Sequence, residues 1–141
     1  MKVIFFDASL AQWGGVLSTP LRIRTAGDYF NSEITSTDIA VKESYGLFYT
    51  IRAFQSELQN CRVDAQVDNS TLYYAWEGQG CRNQTVNGVV ELLFEATLEL
   101  NISLHLELIP SEENPVSLCL GQRCNAESSP LVSSAEHLWR S

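Results

Sequence analysis

The chain has few basic residues: nine lysines and arginines stand against 17 aspartates and glutamates among its 141 residues. The formal net charge is −8 and the isoelectric point is near 4.6. Because nucleic-acid binders neutralise phosphates with lysine and arginine, this balance argues against a free-standing domain that binds nucleic acid tightly. Any nucleic acid would have to be delivered by a partner.

Long apolar runs are also lacking. No stretch of about 18 apolar residues is present, and the N-terminus shows no basic region followed by an apolar stretch and a cleavage site. These two absences argue against a membrane span and against a signal peptide. The sequence therefore predicts an intracellular protein, cytoplasmic or nuclear, or a segment of a longer polypeptide.

Cysteine pairs at the spacing of structural zinc ligands are absent as well. The cysteines are Cys61, Cys81, Cys119 and Cys124. None of them forms the two-residue-spaced pair that is typical of a structural zinc site. We therefore expect ordinary thiols.

The composition is that of a folded domain. Hydrophobic residues make up 45% and charged residues 18% of the chain, which suits one domain with a sizeable core. We assign residues 1–118 to this domain and residues 119–141 to a polar C-terminal tail. A capping box from Ser133 to Glu136 predicts a short helix in the tail.

Apolar periodicity predicts an order of strands and helices. Strands are expected over residues 2–6, 13–17, 21–26, 62–67 and 102–108, with a turn at Gly27-Asp28 and a further extended segment at 29–32. Helices are expected between residues 37 and 58, from Asn69 or Ser70 to about Trp76, and, after a loop at 77–82, along the stripe from Val86 to Leu100.

This order predicts the fold class. An antiparallel meander followed by strand–helix units gives an α/β fold, because the helical crossovers require parallel pairing. We expect a mixed five-stranded sheet with three antiparallel strands first and helices on its faces. Residues 3–6 and 62–67 should then be neighbouring strands.

Three acidic residues occupy informative positions. Asp7 ends the first apolar run, Glu43 lies near the start of the long helix, and Asp68 ends the strand at 62–67. Neighbouring strand ends beside a helix would bring three negative charges into one small space. Such a cluster remains ionised only when cations neutralise it, so the arrangement indicates a site for divalent metal.

Each acid also has an ordinary structural interpretation when taken alone. Asp7 suits a turn after a strand, Asp68 suits the N-cap of the following helix, and Glu43 suits a solvated helix position. Their joint occurrence at these three positions favours the metal site.

Four segments carry a family resemblance. They are Asp7-Ala8-Ser9-Leu10-Ala11-Gln12-Trp13-Gly14-Gly15-Val16-Leu17, Glu43 before Tyr45-Gly46-Leu47, Val67-Asp68-Asn69-Ser70, and Ile109-Pro110-Ser111-Glu112-Glu113-Asn114-Pro115. Together they resemble the ribonuclease H domain of retrotransposon reverse transcriptases, above all those of DIRS and Ngaro elements. Pao-like and Gypsy-like elements share the closing segment. The resemblance implies a ribonuclease H-like fold.

The same resemblance implies an activity, which is hydrolysis of the RNA strand of an RNA·DNA hybrid with two Mg²⁺ or Mn²⁺ ions. Asp7 would contact both ions, Glu43 and Asp68 would hold one, and the other would depend on Asp7, water, substrate phosphate and, weakly, Ser117. Hybrids are selected in this family by minor-groove shape and 2′-hydroxyl contacts. The residues that would contact the hybrid are Ser9, Asn69, Gln79 and Asn83, and the implied partner is a polymerase domain.

One departure from the family pattern leaves two functions open. The closing motif usually runs Asn-Pro-Ala-Asp, whereas this chain has Asn114-Pro115-Val116-Ser117. A serine cannot replace the charge of the fourth carboxylate. The chain is therefore either a working ribonuclease H or a catalytically silent module that serves as a structural or protein-docking domain in a larger assembly.

Overall fold

Five strands in the described part of the chain form one mixed sheet. The computed structural model describes residues 2–78, 82–110 and 113–114. The strands are β1 (Lys2–Ala8), β2 (Gln12–Ser18), β3 (Ile23–Tyr29), β4 (Arg62–Val67) and β5 (Ser103–Leu108), in the spatial order β3-β2-β1-β4-β5. The first three strands pair antiparallel, and β4 pairs parallel with both β1 and β5. The predicted sheet is confirmed, including the pairing of β1 with β4.

Five helices accompany this sheet within the same described residues. They are α1 (Ser32–Thr35), α2 (Ile39–Ala53), α3 (Gln55–Leu58), α4 (Ser70–Gly78) and α5 (Gln84–Leu100). The side chain of Asp38 caps α2 by accepting a hydrogen bond from the Val41 N–H. Helix α2 packs on β1, β2 and α5, and this packing places its buried stripe against the centre of the sheet.

The core lies between this stripe and the sheet. Leu47 and Ile51 of α2 are fully buried, as are Ile4 and Phe6 of β1 and Leu93 of α5. Their spacing follows the periods of strand and helix that the sequence shows.

Gly15 permits a close approach of α2 to β2. A Cβ atom at this position would lie 2.3 Å from Thr50 Oγ1, which no real side chain tolerates. Thr50 is buried and its hydroxyl donates to the Gly46 carbonyl, so its position is fixed. The absence of a side chain at residue 15 therefore sets the distance between helix and sheet.

The predicted course of the chain was wrong between residues 27 and 32. Gly27 and Asp28 do not form a turn, because they continue β3 and pair with Gly14 and Trp13 of β2. The segment after Tyr29 does not form a strand: Asn31 accepts a hydrogen bond from the Ile34 N–H and caps α1. The long pairing with β2 overrides the local turn preference of the Gly-Asp pair.

Two helix predictions also need correction. The segment 37–58 is divided into α2 and α3 at Phe54, which has φ −107° and ψ 20°. Helix α4 continues through Glu77 to Gly78, so residues 77 and 78 are helical where a loop is predicted.

Some predictions concern residues outside the described ranges. The tail 119–141, its short helix and the domain boundary at residue 118 therefore stay predictions. Cys61 has a free thiol, whereas Cys81, Cys119 and Cys124 lie outside the described residues. In the described part of the chain, no helix is both long and apolar enough to cross a membrane.

Candidate metal centre

Asp7 lies next to last in the central strand β1. It pairs with Gly14 of β2 and is 6% exposed. A carboxylate in this position is removed from water, so it requires polar or cationic partners.

Glu43 lies one turn inside α2, on the helix face that packs toward the sheet. It is also 6% exposed, and Leu47 and Thr50 continue the same buried stripe. Glu43 therefore faces the interior and is not the solvated residue that its isolated position in the sequence would suggest.

Asp68 directly follows β4 and precedes α4. Because β1 and β4 are parallel neighbours, their carboxyl ends lie at the same edge of the sheet. The following residue, Asn69, accepts a hydrogen bond from the Leu72 N–H and so caps α4. The cap fixes the chain where Asp68 leaves the strand.

The carboxylates of Asp7, Glu43 and Asp68 converge. One oxygen from each lies within 4.8 Å of the other two. Two oxygens bound to one ion can be at most about 5.2 Å apart at the longest Ca²⁺–oxygen distance of about 2.6 Å, and about 4.2 Å apart at the Mg²⁺–oxygen distance of about 2.1 Å. The spacing therefore admits a shared divalent cation, and Mg²⁺ would draw the oxygens together by at most about 0.6 Å. The predicted convergence is confirmed, and the role of the three residues as ligands stays a prediction.

The electrostatics of Glu43 indicate what such a cluster needs. Burial, followed by the charges of and hydrogen bonding to Asp7 and Asp68, raises the pKa of Glu43 from 4.5 to about 11. Among the described residues, its Oε2 atom is buried and has no hydrogen-bond partner. The three residues therefore offer carboxylate oxygens without a positive charge to balance them. Carboxylate oxygens are the ligands that Mg²⁺ and Mn²⁺ prefer.

Asn114 supports the cluster and was missed as a site residue. Its fully buried side chain donates to the Phe6 carbonyl at 2.8 Å and to Asp68 Oδ2 at 3.1 Å. It therefore ties the end of β1 to Asp68. Its place in the closing Asn-Pro motif was the signal that could have identified it.

The predicted substrate-contact residues have structural roles where they are described. Ser9 forms a tight turn with Gln12 between β1 and β2. Asn83 caps α5 and donates to Asp38 Oδ2, which joins the first turns of α5 and α2. Gln79 and Ser117 lie outside the described residues. Contact of any of these residues with substrate stays a prediction.

Comparison by sequence gives no match. No protein-family model matches the chain, and no curated protein matches it.

Comparison by structure gives several matches to ribonuclease H domains. Ribonuclease H1 of the halophilic archaeon Halobacterium salinarum has a TM-score of 0.71 at 14% identity, covering 89% of this chain and 98% of that one. LC11 ribonuclease H1, isolated from compost by a metagenomic approach, was solved with an RNA/DNA hybrid; its TM-score is 0.64 at 18% identity, covering 81% and 88%.

A third similar structure is the N-terminal ribonuclease H domain of a Mycobacterium tuberculosis protein. Its TM-score is 0.59 at 13% identity, covering 80% of this chain and 84% of that one. Structural similarity at sequence identities this low establishes the fold but not the activity. Strand order and structural similarity together show that the chain has the ribonuclease H-like fold.

Proposed function

We propose that the chain is a ribonuclease H-type endonuclease that hydrolyses the RNA strand of RNA·DNA hybrids by two-metal catalysis. The observation that carries this proposal is the convergence of Asp7, Glu43 and Asp68 within 4.8 Å at one edge of a ribonuclease H-like sheet. The complex of LC11 ribonuclease H1 with an RNA/DNA hybrid supports the choice of substrate class.

The proposed roles are those that the family resemblance implies for residues 7, 43, 68 and 117. Asp7 would hold both ions, Glu43 and Asp68 would hold one of them, and Ser117 would be a weak ligand of the other. When bound, Mg²⁺ or Mn²⁺ ions supply Lewis-acid activation of the attacking water and stabilisation of the leaving 3′ oxygen.

The chain itself contributes the rigid placement of these ligands. Asp38 fixes the start of the helix that carries Glu43, and Asn69 fixes the start of α4 beside Asp68. Asn114 holds Asp68 against β1. Ligands that are held in place before metal binds lose less entropy on binding.

Substrate recognition is proposed to depend partly on another domain. The net charge of −8 disfavours tight binding of a hybrid by this chain alone. The resemblance to retrotransposon enzymes supports a reverse transcriptase polymerase domain as the partner that supplies a basic binding surface. Ser9, Asn69, Gln79 and Asn83 are the proposed contacts within this chain.

The proposal is tested with an end-labelled RNA·DNA hybrid and a titration of Mg²⁺ and Mn²⁺ at low salt. We expect cleavage of the RNA strand of the hybrid, and no cleavage of the DNA strand or of single-stranded RNA. Equal cleavage of hybrid and single-stranded RNA would contradict hybrid specificity. Cleavage that persists in EDTA would contradict the metal mechanism.

A second function is supported by one specific observation, the serine at residue 117 where the family has an aspartate. In this alternative the chain is a silent ribonuclease H-like module with a structural or protein-docking role. The two functions differ in their response to Ser117→Asp, which should improve a weak enzyme and leave a silent module inactive.

A further inference from the structure

Lys42 is an unusual cation because it is almost fully buried beside the acidic cluster. It precedes Glu43 in α2 and is 3% exposed. Within the described residues, no acidic group forms a salt bridge with its ammonium group, and no hydrogen bond satisfies it. A buried cation normally has a partner, so the exception indicates a ligand that is supplied from outside.

The other cations in the described ranges are mostly paired. Arg22 and Arg24 contact Glu57, Arg52 contacts Glu99, Arg62 contacts Asp64, and Lys2 donates to the Glu57 carbonyl. Arg82, the remaining cation of this part of the chain, is exposed. Lys42 is therefore distinguished by being both buried and unpaired.

The packing of α2 on the sheet gives the location of Lys42. Thr50 packs at Gly15, and Gly46, one turn earlier, lies beside the Asp7 carbonyl and Trp13. A further turn of about 6 Å, or about two strand residues, leads from there past the end of β1. Lys42 therefore lies level with the β1–β2 turn at Ser9, one position before Glu43 of the acidic cluster.

The end of the Lys42 side chain still reaches water. In the described part of the chain, the fully buried side-chain nitrogen and oxygen atoms that lack a hydrogen-bond partner are Glu43 Oε2 and Asp64 Oδ1. Lys42 Nζ also lacks a partner but does not belong to this group, so it retains some solvent contact. The stem is thus buried, and the ammonium group keeps only a small contact with solvent.

We infer that Lys42 binds a backbone phosphate of the nucleic acid next to the bond that is cleaved. The inference rests on the proposed function and assigns it one further substrate contact. A cation at the rim of three carboxylates offsets their repulsion of the phosphate chain, and a fixed stem allows this at a small entropic cost.

The chain contains a matched control for this residue. Its only two lysines are Lys2 and Lys42, and Lys2 begins β1 at the end opposite to Asp7. Lys42→Met removes the charge and keeps an unbranched stem, Lys42→Arg keeps the charge, and Lys2→Met removes the same charge at a distance. A thermal melt of each variant checks that the fold is retained.

The test is the salt dependence of hybrid binding by the chain fused to a basic hybrid-binding module, measured by fluorescence anisotropy in an Asp7→Asn background that should not cleave. Each lost phosphate contact reduces the slope of log K against log salt by about 0.9. When salt is raised from about 50 to about 200 mM, the fold-decrease in affinity should therefore be about 3.5 times smaller for Lys42→Met than for its parent. Lys42→Arg and Lys2→Met should keep the parental slope.

The outcomes separate this inference from the proposed function. Hybrid binding with the parental slope in Lys42→Met would overturn the phosphate contact and leave the nuclease proposal standing. An equal loss of slope in Lys2→Met would show an effect of net charge alone and would also overturn the contact. Absence of hybrid binding in every variant, together with absence of cleavage by the wild type, would overturn both.

Discussion

The acidic cluster should make the stability of the metal-free protein depend strongly on pH. Glu43 has a pKa of about 11 in the folded chain against an ordinary value of 4.5. Below pH 4.5 the group is neutral in both states. Above it, the unfolded chain releases the proton and the folded chain retains it, so stability falls as pH rises toward the folded pKa.

The size of this loss of stability follows from the shift in the pKa of Glu43. Each pH unit in this window is equivalent to about 1.36 kcal/mol, so the free energy of unfolding should fall by about 3 kcal/mol between pH 4.5 and pH 7. For a domain of this size, that corresponds to a fall of roughly 10 °C in Tm.

The assay is thermal unfolding in EDTA across this pH range, with wild type, Glu43→Gln and the exposed control Glu91→Gln. Because a neutral amide does not titrate, Glu43→Gln should remove most of the decline, and Glu91→Gln should behave like wild type. Added Mg²⁺ should raise the wild-type Tm most at the upper end of the range, because a bound cation favours the ionised carboxylate. Equal pH dependence in wild type and Glu43→Gln would refute the reasoning.

Three further predictions concern single substitutions. Ser117→Asp should raise hybrid cleavage or lower the Mg²⁺ concentration required, as measured by metal titration, since it adds a charged ligand. Gly15→Ala should reduce the free energy of unfolding by about 1–3 kcal/mol in urea denaturation, because its Cβ would overlap Thr50. Asn114→Ala should weaken Mn²⁺ binding in calorimetry and cost about 1–3 kcal/mol of stability, because it removes the hydrogen bonds to Asp68 and Phe6. Unchanged values would contradict the proposed metal role of residue 117, the close packing at Gly15 and the hydrogen bonds of Asn114, respectively.

Most of the fold could be predicted because periodicity and strand order are properties of the sequence. The strand Arg62–Val67 has its predicted bounds, and α5 follows the predicted apolar stripe. The course at Gly27-Asp28 could not be predicted from local preference, because a seven-residue pairing with β2 decides it. Local sequence gives the preference for a turn but not the free energy of pairing with a distant strand.

The candidate site was predicted in part for a similar reason. The positions of Asp7 and Asp68 at strand ends are visible in the sequence, and parallel pairing then brings them to one edge. The closing Asn-Pro motif marks Asn114, but its role depends on a contact with Phe6 across 108 positions of the chain, which periodicity does not reveal. Likewise, the burial of Lys42 follows from the packing of α2 on the sheet.

The most direct test of the central claim is cleavage of a labelled RNA·DNA hybrid by the purified chain, fused to a basic hybrid-binding module and supplied with Mn²⁺ at low salt. Wild type and Asp7→Asn are compared, with Asp28→Asn as a control in which an exposed aspartate of β3 is changed. We predict cleavage of the RNA strand by wild type and by Asp28→Asn, and none by a folded Asp7→Asn. Equal cleavage by wild type and Asp7→Asn, or no cleavage by any of the three proteins, would contradict the assignment of this acidic cluster as a nuclease metal centre.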